Sequence, residues 1–150
     1  MPTARKPIAL ARHRRSSRRG NTMVEAAIIF PVLIYLVFGC VDFGQFLYLK
    51  HTLQGAAREG ARAGATPNSA NSDVTTAVTN SMRNAGIAAT KYTVSIRNAA
   101  DTADISVAQT AGTPILIKVT ANWGTVGVRT SNFITANKAI TGATTMRKEG

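Results

Sequence analysis

The chain has 150 residues, a formal net charge of +11 and a single cysteine. That length allows one domain beyond a membrane helix. One cysteine excludes an intramolecular disulfide and any zinc site built from several thiolates. The charge is concentrated: Arg5, Lys6, Arg12, Arg14, Arg15, Arg18 and Arg19 precede Gly20 with no acid among them, which leaves eleven basic against seven acidic residues for the rest. A nucleic-acid arm is the weaker reading of that block, because no recognition motif follows it, and no nucleic-acid partner is expected.

Residues 1–20 hold two prolines, many arginines and almost nothing that builds a core. They read as a cytoplasmic basic leader rather than a domain, disordered or held against anionic headgroups. The apolar stretch comes next. No charged residue occurs from Ala26 to Val41, and Met23, Val24 and the aromatics Phe43, Phe46 and Tyr48 lengthen it. Such a run suffices for a helix through a hydrocarbon layer of ~30 Å, so residues 21–49 are expected to be a single transmembrane helix in contact with lipid. The basic flank sets its orientation, with the N-terminus in the cytoplasm and everything after Leu49 outside the inner membrane. Glu25 and Asp42 interrupt the apolar character near its two ends, where a charge costs less than at the bilayer centre. Pro31 predicts a kink or local loosening, either as such or as a packing device in an assembly. Cys40 reads as a small helix residue; the alternative is a lipid-attachment site, since Val37-Phe38-Gly39-Cys40 loosely resembles a lipobox.

The helix pattern continues past Leu49 with a change of composition. Ala56, Gly60 and Gly64 recur every fourth residue and form a groove of small side chains suited to close helix packing. That groove serves first the chain's own outer domain and second a neighbouring subunit. Arg58 and Arg62 share another face, and Glu59 reaches Arg62 at i, i+3. Thr66-Pro67-Asn68 ends the helix, so residues 50–66 are a continuation protruding from the membrane.

Two stretches of this region resemble known families. Arg18-Arg19-Gly20 followed by Asn21-Thr22-Met23-Val24-Glu25 and an apolar run resembles the processing site of type IV prepilins. That resemblance implies cleavage between Gly20 and Asn21 by a prepilin peptidase, with Glu25 fifth in the mature chain; glycine permits an extended backbone to approach a protease closely. Val41-Asp42-Phe43-Gly44, followed by Leu53 to Arg62 (L-Q-G-A-A-R-E-G-A-R), resembles the TadE-like family, pseudopilin-like proteins of the tight-adherence (Tad) pilus system. The resemblance covers roughly Gly20 to Ala65 and marks Asp42, Gly44, Arg58, Glu59 and Arg62 as family-motif residues. Met146-Arg147-Lys148-Glu149 also resembles the family's usual ending. It implies other pilin or pseudopilin subunits as partners. Ala26 stands where the major pilins of that system usually carry tyrosine, which favours a minor component.

Residues 67–150 are expected to form an extracytoplasmic α+β domain. Ser72 caps a helix through Ala85, with Val74, Ala77, Val78, Met82 and Ala85 on one face, Gly86 at C′ and Ile87 beyond it. Tyr92, Val94 and Ile96 alternate as a strand; Asn98 to Asp101 turn; Ile105 and Val107 mark a second strand. From Pro114, the residues Ile115, Ile117, Val119, Ala121 and Trp123 share one strand face. Residues 124–132 read as loop or weak strand, and Lys138 to Arg147 as the last strand. The expected fold is therefore pilin-like α+β: a long N-terminal helix, half of it in the membrane, packed on a small antiparallel sheet with one further helix.

No catalytic constellation is visible. Asp101 and Asp104 flank the turn as solvated caps rather than as an acid/base pair, and no base stands beside a serine or threonine. With only His13 and His51, no metal site or cofactor is expected. The reading is a non-catalytic, membrane-anchored pseudopilin or minor pilin that takes part in assembling a Tad-type pilus. The alternative is a membrane-tethered or lipidated extracytoplasmic binding module.

Overall fold

The computed structural model describes residues 19–127 and 134–149, with side chains from residue 22 onward. The basic block before Arg19 and part of the 124–132 connection lie outside the described residues. The fold is α+β: a long N-terminal helix, a three-stranded antiparallel sheet and further short helices, as expected. Helix α1 runs Arg19–Ala65 and passes Pro31 without interruption. It starts early enough to include Gly20, so the extended backbone anticipated there is helical in the intact chain.

The chain divides into two units, one reaching to Ile34 and one from Tyr35 onward. In the first, every described side chain of α1 is exposed. Helix α1 is long and apolar enough to cross a membrane, and none of its most apolar window is buried within the chain.

In the second unit α1 has one buried face. Leu49, Leu53, Ala56, Ala57, Gly60, Ala61, Gly64 and Ala65 fall at helical spacing and are all buried. Against this face packs helix α2, Asn71–Asn84, through Val74, Val78 and Met82 at i, i+4, i+8. The helix opens two residues earlier than a Ser72 cap predicts. Its N-cap position is Ala70, and the Asp73 carboxylate instead accepts the Ala70 N–H at 2.8 Å. The C-terminus ends as the sequence implies. Gly86 is left-handed at φ +76°, its N–H reaches Arg83 O at 2.9 Å and the Ile87 N–H reaches Met82 O at 3.0 Å. These are the two bonds of a Schellman motif, and Ile87 and Met82 both join the core.

Strand β1, Tyr92–Asn98, pairs with β2, Pro114–Asn122, which pairs with β3, Ala139–Arg147. In β2 every second residue (Ile115, Ile117, Val119, Ala121) is buried, the pattern of a sheet with one face in the core. Two expectations need correction. Ile105 and Val107 do not form a strand. Only a bridge between Arg97 and Asp104 extends β1, because Asn71 Oδ1 then takes the Val107 N–H at 2.8 Å and leads the chain away from the sheet. Trp123 is not a strand residue either: β2 stops at Asn122, and Trp123 opens a one-turn helix α3, Trp123–Val126. There the indole is buried, edge-on to Phe46 of α1 with ring centroids 5.8 Å apart. Fully burying a side chain such as Leu53, Met82 or Ile117 contributes about 1.5–3 kcal/mol, so the second half of α1 is part of the domain core.

Candidate functional site

The candidate processing, packing and family-motif residues all lie on α1, and the structure separates them into three groups. The first is the small-residue face. A Cβ added at Gly60 would stand 2.6 Å from Val78 Cγ2 and 3.2 Å from Ile117 Cγ2; one at Gly64 would stand 2.9 Å from Val107 Cγ1 and 3.0 Å from Val74 Cγ2. Ala56 is fully buried beside them. This face is thus turned toward the chain's own α2, sheet and Val107 loop.

The second group is exposed. Arg58, Glu59 and Arg62 lie on the outer side of α1, where Arg62 Nε and Glu59 Oε2 stand 3.5 Å apart in a pair open to solvent. Such pairs contribute at most about 1 kcal/mol, so the three residues are available to a partner rather than committed to the fold. Gly44 and Cys40 are exposed as well, and nothing in the chain lies within 4 Å of a Cβ placed on Gly44. Glu25 is exposed, and the helical backbone includes Gly20 and Asn21. Asp42 forms the third group by itself. Its neighbours Val41 and Phe43 are exposed, yet it is only 1% accessible, turned under the domain.

Three residues that sequence reasoning misses hold the seat of α1 together. Gly142 in β3 lies directly beneath the helix, where an added Cβ would collide with the backbone of Leu53 and Gln54. A glycine inside a strand is the available signal for such close approach. Gln54 sits next to that contact. Its Nε2 donates to Ala143 O at 2.7 Å and to Thr144 Oγ1 at 3.0 Å, while its Oε1 accepts the Ala143 N–H at 3.2 Å. One carboxamide thereby acts as the peptide unit of an absent fourth strand and closes part of the open edge of β3. Lys148 secures the other end. Only 6% accessible, its ammonium donates to Gly64 O at 3.2 Å, Thr66 O at 2.6 Å and Ser69 Oγ at 2.5 Å. Ser69 Oγ in turn donates to Gly64 O at 2.8 Å, and the Glu149 N–H to Ala65 O at 2.8 Å. The terminal carbonyls of α1, which a helix cannot satisfy internally, thus receive donors from residues more than eighty positions away, and the cation complements the negative end of the helix dipole.

At the far side of the sheet Asp101 links Lys118 of β2 to Arg97 of β1. Lys118 Nζ donates to Asp101 Oδ2 at 2.7 Å, and Arg97 Nε lies 2.5 Å from Asp101 Oδ1 as an ion pair without the angle of a hydrogen bond. The Lys118 hydrogen bond, with smaller help from the charges of Lys118 and Arg97, holds the Asp101 carboxyl below the usual aspartate value. Both lone acids of the turn are thus ion-paired, since Arg97 Nη1 also reaches Asp104 Oδ1 at 3.3 Å. Among the described residues, no three His, Cys, Asp or Glu side chains converge as a metal site would require.

Compared with known families, residues 20–62 match the model for TadE-like proteins. The TadE-like resemblance is therefore shown over this segment. The match contains Glu25, Asp42, Gly44, the Gln54 seat and the exposed Arg58–Glu59–Arg62 surface, and ends within the last turn of α1. Comparisons with curated proteins and with solved structures returned no significant match.

Proposed function

We propose that the chain is a membrane-anchored pseudopilin or minor pilin that takes part in assembling a Tad-type pilus without catalysing a reaction. The observation that carries this reading is the division of α1 inside the matched segment: an apolar half whose side chains are all exposed, then a half seated in a folded domain. A helix built this way presents one half to lipid or to neighbouring helices while the other half displays a domain. The N-terminus is in the cytoplasm and the domain outside the inner membrane, as the basic block before Gly20 favours. A prepilin peptidase removes that block after Gly20.

Cleavage there frees an α-amine on Asn21 one helical turn before Glu25. An α-amine with a pKa near ~7.7–8.0 is largely charged at neutral pH. Amine and carboxylate are each costly alone among packed helices, and pairing offsets part of that cost. An amine from a neighbouring subunit serves as well as the chain's own, so Glu25 sets register between subunits. Glu25→Gln keeps the shape, and should leave leader removal intact while weakening co-purification with other pilin-type subunits.

The deciding experiment is the intact mass of protein extracted from membranes. A chain beginning at Asn21 supports the pilin reading. A chain beginning at a lipid-modified Cys40 establishes the tethered binding module instead, and an uncut chain removes the processing step from the proposal.

A further inference from the structure

Beyond anchoring, the second unit carries a surface of its own that fits a lipid interface. Along α1 in this unit, Tyr35 to Phe38, Cys40 and Val41 are exposed on all sides of the helix. All-round exposure leaves every side of this stretch open to lipid. From Asp42 onward the domain covers one side, yet the open side stays apolar: Phe43 is 58%, Leu47 39% and Tyr48 60% accessible. Exposed Lys50 and His51 follow directly. An apolar run closing on an aromatic ring and then a cation is the succession found where a helix leaves a bilayer.

The domain matches this succession on its own side. A cleft of about 300 Å³ opens beside Tyr48, lined by Gln45 and Leu49 of α1, by Ala85 and Ile87 at the end of α2, and by Trp123 of α3, and no residue lining it is charged. Residues 43–48 rise about 8 Å along the helix axis. That is close to the thickness of one interfacial layer, roughly 5–8 Å on each side of the hydrocarbon core.

We infer that the uncharged cleft beside Tyr48, together with Phe43, Leu47 and Tyr48, is a membrane-contact surface lying in the headgroup layer of the bilayer. The inference rests on the membrane-anchored reading. It accounts for Asp42: the domain covers a polar carboxyl group whose helix neighbours Val41 and Phe43 are exposed, so the group enters the interfacial layer without meeting it.

Trp123 is the only tryptophan, which makes its fluorescence a depth gauge. The full chain is reconstituted into phosphatidylcholine/phosphatidylglycerol vesicles carrying bromine either near the headgroup or near the acyl-chain ends, and vesicle association is checked by flotation. The expected result is a loss of Trp123 emission with the shallow bromines and little loss with the deep ones. Leu47→Glu should relieve that quenching while the chain still floats with the vesicles and keeps its circular dichroism. Floating protein whose Trp123 emission ignores both lipids at every protein-to-lipid ratio overturns the inference and leaves the anchor intact. Quenching that appears only on dilution in lipid also overturns it, because a second copy then occupies the surface. A chain that does not float at all removes the membrane anchor itself.

Discussion

The two halves of α1 are built on opposite uses of small and large side chains. Before Asp42 the helix carries Ile, Leu, Val and Phe, and every one of those described is at least two-fifths exposed. After Leu49 the residues turned inward are mostly Ala and Gly, and they are buried. A helix seated on a sheet through small residues brings its backbone close to the strands, whereas a helix ringed by large apolar groups keeps its neighbours at a side chain's length. One continuous helix therefore leaves its side chains uncovered by the chain along one half and rests on a fixed protein seat along the other. The contrast predicts that substitutions of similar chemistry have unequal consequences on the two sides.

The largest effect is expected at the seat. Gly142→Leu puts a branched side chain where even a Cβ meets the α1 backbone, and backbone cannot rotate aside as a side chain can. A loss of about 3 kcal/mol, at the upper end of overpacking costs, should appear as a lowered denaturation midpoint in detergent. Gly60→Leu should cost less, about 1–3 kcal/mol, because its nearest neighbour is a Val78 methyl. Leu33→Ala in the exposed half should leave the midpoint unchanged. If Leu33 proves as sensitive as Gly142, the first half of α1 has a seat too, and the contrast fails.

Lys148→Met tests the other end of the seat. The substitution keeps the aliphatic stem but deprives Gly64 O, Thr66 O and Ser69 Oγ of a charged donor. Hydrogen bonds to charged groups contribute about 1.5–3 kcal/mol, so a loss near that range is expected. It should be accompanied by faster amide exchange in residues 66–70. Unaltered exchange there would mean that Ser69 and Glu149 cap α1 without the ammonium.

How much of this is legible in the sequence follows from the range of each interaction. The end of α2 is readable because Gly86 and Ile87 act on carbonyls within the same helix. The buried alternation of β2 and the small face of α1 are readable because periodicity is local. Gln54 is not, since its partner lies 89 residues further on and a glutamine on a helix has no distinguishing pattern. Lys148 reads only as part of a terminal resemblance. A lysine is normally solvated, and nothing beside it announces the helix end that it caps. Val107 reads as a strand residue because its apolar character is real, but a long-range bond from Asn71 directs it against Gly64 instead.

A smaller effect should run the other way. At Gly44 and Gly55 an added Cβ would have nothing within 4 Å, so neither glycine is required by packing within the chain. Glycine inside a helix costs up to about 1 kcal/mol relative to alanine. Gly44→Ala and Gly55→Ala should each raise the denaturation midpoint slightly, in contrast to Gly60 and Gly64. A loss of stability at either position would show that the open side of α1 is more crowded than its geometry indicates.

The smallest effect is a pH dependence at the sheet face farthest from the helix seat. Asp101 titrates below its ordinary value of 3.8 because Lys118 donates to it and because Lys118 and Arg97 are positively charged. A lowered folded-state value means that the unfolded chain binds the proton more readily, so protonation favours unfolding. The contribution is fully present above 3.8 and declines as pH falls from there through the lowered value. It should be slight, since the Asp101 side chain is 39% accessible and water screens the pair. Asp104, more exposed still on the same turn, shares Arg97 and complicates the baseline. The clean comparison is therefore Asp101→Asn against the parent chain, with denaturant midpoints measured at neutral pH and below 3.8. The difference between them should shrink on acidification and be restored on return to neutral pH. A difference that stays constant across that range would mean that the turn is held by the Asn98 side chain, which accepts the Thr102 N–H at 2.8 Å, rather than by the charges around Asp101.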